Sequence, residues 1–93
     1  MSIVWYPSAL DDLESLRTSV AQDDPGSAAV IAQRILDAVE TLAEFPQRGR
    51  LGRVAGTREL VVPRTPYIVA YRVSDDVIEL LRVLHGAQRW PSR

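Results

Sequence analysis

The 93-residue sequence contains no cysteine, no lysine and only one histidine, His85. Without cysteine the chain has no disulfide framework, no thiolate metal site and no thiol nucleophile. A single histidine also excludes a metal centre built from several histidines. We therefore expect neither a bound metal nor a cofactor.

Long hydrophobic runs are absent as well. No apolar stretch approaches the roughly 20 residues that span a membrane as a helix, and the N-terminal segment has no basic region of the kind that precedes a signal sequence. We therefore expect a cytoplasmic protein that does not bind a membrane. The 93 residues form one domain, residues 1–93, which is too small for a deep cleft, so a surface site is expected.

The formal net charge of −1 argues against a general nucleic-acid binder, but the charges divide unevenly along the chain. Residues 1–46 hold two arginines and eight acidic residues, which gives a net charge of −6. Residues 47–93 hold nine arginines and four acidic residues, which gives +5. Because guanidinium groups form planar paired bonds with carboxylates or phosphates, the second half predicts a surface for an anionic partner.

The N-terminal residues predict a strand followed by a helix. Residues 2–6 are apolar, with β-branched and aromatic side chains, which is typical of a strand. Leucines then recur at helical spacing over residues 8–22. Ser8 would cap this helix, with Asp11 as its capping-box partner.

A second helix is predicted to begin at Asp24 and Pro25, an N-cap followed by a proline in the first turn, and to run to Pro46. The two helices would form a hairpin. Residues 46–56 contain three glycines and three arginines without periodicity, which indicates a basic loop.

Three strands are predicted in the remaining sequence, at residues 57–63, 67–73 and 77–85, with a turn at 74–76. The last strand is apolar on both faces, which is typical of a central strand. The sequence therefore predicts an α+β fold in which a strand and a two-helix hairpin precede a three-stranded antiparallel meander. The first strand would add at one edge of the sheet, the last strand would lie in the middle, and the helices would cover one face.

Five segments, in this order and over nearly the whole chain, carry a family resemblance: SALDDLESL, LAEFPQRGR, GTRELVV, PYIVAYRV and ELLRVLHGAQRWP. Together they resemble the RelE/ParE superfamily of toxins from bacterial type II toxin-antitoxin systems. The resemblance implies a toxin that arrests growth and is neutralised by a cognate antitoxin. Operator DNA would be bound only through the antitoxin, and a homodimer or a heterotetramer with the antitoxin is the expected assembly.

The superfamily contains two activities, and the resemblance implies one or the other here. Members like RelE cut mRNA on the ribosome and carry an arginine at the head of a strand that reads Arg-Leu-Val-Tyr. The matching strand here begins Tyr67-Ile68-Val69, which lacks that arginine. Members like ParE poison DNA gyrase by protein contact and need no catalytic residue. The missing arginine and the pI of 5.7 favour gyrase over ribosomal RNA as the target.

Three sets of candidate residues follow. For a nuclease, His85 would supply one proton-transfer role, and Arg58, Arg64 or Arg82 would stabilise the charge on the phosphate. For target binding, the C-terminal tail offers His85, Arg89 and Trp90, two of which are residue types enriched at binding hot spots. For antitoxin binding, the basic half offers Arg48, Arg50, Arg53, Arg58 and Arg72. A dimeric interaction module without toxicity is the remaining alternative.

Overall fold

The computed structural model describes residues 1–91. Its helices and strands are β1 (Ser2–Trp5), α1 (Pro7–Asp23), α2 (Pro25–Glu40), a 3₁₀ turn (Thr41–Ala43), β2 (Arg50–Leu51), β3 (Arg58–Val61), β4 (Tyr67–Ser74) and β5 (Val77–His85). Arg93, one of the arginines of the basic half, and the last residues of the tail lie outside the described part of the chain.

The strands form one sheet in the order β1-β5-β4-β3-β2. β3, β4 and β5 form the predicted antiparallel meander, and β1 adds parallel to β5 at the edge. β5 is therefore an interior strand, as its apolar faces predicted. The middle position of the sheet belongs to β4, however, because a fifth strand, β2, extends the other edge.

The predicted loop 46–56 contains that extra strand. Arg50 pairs with Glu59 and Leu51 pairs with Arg58, both antiparallel. A strand of two exposed residues buries no alternating apolar face, so its sequence carries no strand signal. The prediction of an unstructured loop over the whole segment was wrong for this reason.

The predicted cap of the first helix was also wrong. α1 begins at Pro7 with Tyr6 in the N-cap position, and no side chain caps it. Proline is favoured in the first turn because that turn leaves its amides unbonded. The Ser8 hydroxyl instead donates to the carbonyl of Leu81 in β5 at 2.7 Å, so it fastens the helix to the sheet.

The second helix begins where the sequence predicted, with Pro25 after Asp24. The Asp24 carboxylate accepts bonds from the amides of Gly26 and Ser27. The Ser27 hydroxyl donates to it too, and this bond is the main reason that the pKa of Asp24 lies below its usual value. The helix ends at Glu40 rather than near residue 46, because the chain tightens into the 3₁₀ turn.

The main core lies between the helices and one face of the sheet. Every second side chain along a strand faces this core, as Leu60, Val69 and Tyr71 do. They pack against Leu16 and Ile35 of the helices. Both helices pack on this face, as predicted. None of the helices between residues 1 and 91 is both long enough and apolar enough to span a bilayer.

Candidate functional site

The face of the sheet opposite the helices carries the C-terminal tail. Ile68 and Ala70 of β4 and Leu84 of β5 form a small buried cluster on this face. Trp90 packs against the cluster and is itself partly exposed. The indole thus covers apolar surface that the alternation of the strands places away from the helices.

Polar contacts also hold the tail against the sheet. The Arg53 guanidinium donates to the carbonyl of Gln88 at 3.1 Å. The side-chain oxygen of Gln88 accepts from the amide of His85 at 3.2 Å, and Nδ1 of His85 accepts from the amide of Ala87 at 3.2 Å. The described part of the tail is therefore an ordered turn on which His85 and Arg89 remain exposed.

A buried carboxylate organises the basic loop. The side chain of Glu59 is only 3% exposed, and it receives bonds from the Nε of Arg53 at 2.9 Å and from Arg50 at 3.3 Å. The Arg53 amide and a second guanidinium nitrogen also donate to it. Burial raises the pKa of the Glu59 carboxyl, but the bonds from the two arginines outweigh burial and hold the pKa below its usual value.

A buried tyrosine fixes the start of the same loop. Tyr71 is fully buried, and its hydroxyl donates to the carbonyl of Pro46 at 2.8 Å and accepts from the amide of Gly49 at 2.9 Å. Burial raises the pKa of this phenol. A methyl group at Gly49 would lie 2.7 Å from the ring and hydroxyl of Tyr71, so only glycine allows the approach. Arg58 adds a bond to the Gly49 carbonyl at 2.8 Å.

Arg72 lies in a separate cluster on neighbouring strands near β1. Its guanidinium donates to Glu79 at 2.5 Å and to the Tyr6 hydroxyl at 3.0 Å, and that hydroxyl donates to Glu79 at 2.9 Å. The bond from Arg72 is the main reason that the pKa of Glu79 lies below its usual value. The five arginines predicted for antitoxin binding thus fall into two groups, with Arg72 apart from the four of the loop region.

Arg82 is also engaged within the protein. Two of its nitrogens bind the carboxylate of Asp12 in α1, at 2.6 and 3.0 Å, and this pairing raises the pKa of Arg82. The same carboxylate accepts from the amide of Val83 at 2.9 Å. β1 pairs with β5 only as far as Leu80, and α1 supplies side-chain partners for the edge of β5 beyond that point.

An arginine-lined groove of about 470 Å³ lies between α2 and the outer edge of β3. Its walls carry Arg34, Arg48, Arg50 and Arg64. Sequence reasoning missed two contributors. Arg34 belongs to the acidic half of the chain, and Arg64 was considered only for catalysis. The one signal that could have drawn attention to this region is Glu59, the only acidic residue between positions 47 and 74.

A family model matches residues 3–90, nearly the whole chain, and describes the ParE toxin of the type II toxin-antitoxin system parDE. The chain belongs to the ParE toxin family. This ParE-family toxin is 47% identical over 89 residues to protein Y4kP of Sinorhizobium fredii, which is named as a proposed toxin, and the match covers 96% of this chain and 92% of the relative.

Relatives of this ParE-family protein carry both superfamily names. Toxin RelE2 of Caulobacter vibrioides is 41% identical over 86 residues, covering 92% of this chain and 96% of that protein. A chain of the chromosomal ParDE system of P. aeruginosa superimposes with a TM-score of 0.82 at 30% identity, covering 91% of this chain and 95% of its own. The predicted superfamily and fold are confirmed. These comparisons support the prediction that the protein is the toxin of a type II toxin-antitoxin system and that its partner is a cognate antitoxin.

Of the four residues considered for RNA cleavage in this ParE-family fold, Arg58 and Arg82 lie on different strands, whereas Arg64 lies three residues before Tyr67, the partner of His85 in the sheet. Arg82 is bound to Asp12 beside α1, whereas Arg58 lies on β3 and donates to loop carbonyls. Arg64 follows β3, and its carbonyl accepts from Arg34 at 3.1 Å. The His85 ring lies edge-on to Tyr67, with 5.7 Å between ring centroids. Within residues 1–91 no three histidine, aspartate or glutamate side chains are grouped as a metal site requires.

Proposed function

We propose that this toxin arrests growth in the cytoplasm by binding DNA gyrase through protein contact, and that His85, Arg89 and Trp90 of the C-terminal tail form the contact. The observation that carries the proposal is that Arg58 and Arg82, two of the three candidate arginines, lie on different strands and are bonded to acceptors within the protein. Cleavage of RNA requires proton-transfer groups and cations that converge on one phosphate. Here Arg82 and Arg58 lie on strands two positions apart in the sheet, and both are engaged with protein acceptors.

The tail has the features of a binding surface. Trp90 is anchored on the apolar cluster of the open face, and Gln88 is held by Arg53, so the neighbouring Arg89 is presented from an ordered turn. Tryptophan and arginine are enriched among the residues that dominate binding energy. An ordered surface also loses less conformational entropy on binding than a mobile tail would.

The antitoxin is proposed to bind the basic half through carboxylates. Of the five predicted arginines, Arg48 and Arg50 line the groove beside β3, although Arg50 also donates to Glu59, while Arg53, Arg58 and Arg72 lie outside the groove wall and are bonded within the protein. The first two should therefore contribute more to the contact. Calorimetry across salt concentrations tests this, because an interface led by charge weakens as ions screen it. An affinity that does not fall with added salt would contradict the proposal.

The test of the tail is an inducible toxicity assay with matched charge variants. Expression of the unaltered protein without antitoxin should stop growth. Arg89→Gln should relieve toxicity, while Arg17→Gln, which removes another exposed arginine, from α1, should not. Removal of residues 86–93 should relieve toxicity more than it lowers the melting temperature. If the truncated protein remains fully toxic, the tail serves only in packing.

The same cells identify the target. DNA breaks with an SOS response would indicate gyrase, whereas cleaved mRNA with halted translation would indicate a nuclease and contradict the proposal. His85→Ala adds a second measurement on purified components. Gyrase inhibition should stay largely intact in this variant. A proton-transfer role in RNA cleavage would instead slow cleavage by roughly 10² or more.

A further inference from the structure

The outer edge of β3 is only partly covered by β2. The amide of Val62 donates to the carbonyl of Tyr67 at 3.0 Å, so the backbone of Val62 faces β4. Since successive residues of a strand direct their amides to opposite sides, the amide and carbonyl of Val61 face outward. β2 pairs with β3 at Glu59 and Arg58 and does not reach Val61.

The chain that precedes β2 leaves this edge open. The amide of Arg48 donates back to Phe45 at 3.1 Å, and the amide of Gly49 donates to the Tyr71 hydroxyl, so neither amide donates to β3. Among the described residues the pairing of β2 with β3 ends at Glu59, and no loop or side-chain bond reaches the amide of Val61. Its side chain is 51% exposed. Open strand edges of this kind accept an added strand from another chain.

The residues that line the groove favour an added strand with acidic side chains. Four arginines line it, and Arg50 alone among them is paired with Glu59. Asp37 is the other acidic residue in the wall, and it already accepts a bond from Gln33 at 2.8 Å. Carboxylates would therefore find guanidinium partners on both sides of the groove. Apolar surface from Val61 and Pro63 lies between them.

The turn after β3 carries Arg64 beside the groove and is held there by a bond from α2. Arg64 has a φ of 62°, in the left-handed region that residues other than glycine rarely adopt. The guanidinium of Arg34 donates to the Arg64 carbonyl at 3.1 Å, so α2 stabilises the turn. The Arg64 side chain thereby remains exposed at the mouth of the groove.

We propose that this groove binds an extended segment of the antitoxin that alternates acidic and apolar residues and adds as a short strand beside Val61. The inference rests on the proposed antitoxin contact and extends it from a set of charges to a backbone-paired site. The occupant is an extended chain, because the groove offers a strand edge at its centre and cations at its rims. Salt would weaken the contact only in part, since the backbone bonds do not depend on charge.

The first experiment uses isotope-labelled protein and a capped peptide of about eight alternating glutamates and valines. On binding, exchange of the Val61 amide with solvent should slow by roughly tenfold or more. A double variant, Arg48→Gln with Arg64→Gln, should lower the affinity for the peptide by roughly tenfold or more, and Arg17→Gln should leave this affinity unchanged. The same peptide with lysines in place of glutamates is the control. If the glutamate peptide does not slow exchange at Val61, the site is refuted.

The second experiment uses the complex of the full chain with the antitoxin that neutralises it. Protection of the Val61 amide in this complex supports the inference. A tight complex in which this amide exchanges freely overturns the strand site but leaves the antitoxin contact standing. If no antitoxin forms a complex, the proposed antitoxin contact itself fails, and the inference that rests on it fails too. Protection that rises with the concentration of the toxin alone would place a second copy of this chain in the groove and would refute an antitoxin segment there.

Discussion

Replacing Tyr71 by phenylalanine should destabilise the protein far more than the loss of one oxygen atom implies. The hydroxyl makes two bonds at once, to the Pro46 carbonyl and from the Gly49 amide, and phenylalanine keeps the ring but satisfies neither. Gly49 is buried, so its amide would find no water to replace the bond. Tyr71 itself has no exposed surface through which solvent could enter.

The expected cost follows from these two orphaned groups. A buried donor left without a partner costs about 1–3 kcal/mol, and the loss of a bond to a partly buried carbonyl costs about 1 kcal/mol. We expect the free energy of unfolding to fall by about 2–4 kcal/mol. For a domain of this size, each kcal/mol shifts the melting temperature by about 4–8 °C, so the fall should be roughly 8–32 °C.

Urea unfolding, followed by tryptophan fluorescence, measures this change with Tyr67→Phe as the control. Tyr67 is half-buried, and its hydroxyl has no hydrogen-bond partner among residues 1–91, so its removal should cost little. Gly49→Ala should destabilise by a different route, because its methyl group would overlap Tyr71. The effects of Gly49→Ala and Tyr71→Phe should not add, since both release the same segment. A Tyr71→Phe variant as stable as the Tyr67→Phe control would refute the reasoning.

Two further predictions concern the carboxylates that bind arginine inside the fold. Asp12→Asn should lower the free energy of unfolding by about 2 kcal/mol, because it weakens the two bonds that Asp12 accepts from Arg82. Asp11→Asn, on the exposed side of the same helix, should not lower it. Urea unfolding of the two variants measures the difference. The pKa of Glu59 is lower in the folded state than its usual value of 4.5, so its charge stabilises the fold above pH 4.5. That contribution is lost as the pH falls through the folded pKa. Acid unfolding of Glu59→Gln should therefore depend less steeply on pH than that of the unaltered protein below pH 4.5, and equal slopes would contradict this role.

The sequence predicted the elements that bury repeated apolar patterns. The stripe of α2 and the alternation of β4 and β5 gave the hairpin, the meander and the interior place of β5. β2 was missed because its two residues bury nothing, and the cap of α1 was misassigned because Ser8 bonds to a strand distant in sequence. The periodicity of apolar residues indicates which side chains are buried, but it does not show the pairing of a short exposed strand or a hydrogen bond to a residue distant in sequence.

The candidate site was predictable only in part, for a related reason. Counting charges identified a basic half, but it could not show which arginines are already bonded to acceptors within the protein. Glu59 is next to Arg58 in the sequence, but the strand directs the two side chains to opposite faces. Glu59 binds Arg50 and Arg53 instead. The groove arginines come from three separate segments, and only the tertiary fold brings Arg34 and Arg64 to the loop.

The absence of lysine acquires a structural meaning from these pairs. Arg53 contacts both oxygens of Glu59, and Arg82 contacts both oxygens of Asp12, through two nitrogens each. An ammonium group offers no such planar pair of donors, so lysine would leave part of each carboxylate unsatisfied at a partly buried site. In the basic half, Arg53 and Arg82 therefore hold the loop, the tail and α1 in place, Arg48 and Arg64 line the groove, and Arg50 does both. The bonded arginines fix the loop beside the groove, and side chains on a fixed loop lose less conformational entropy on binding than side chains on a mobile loop would.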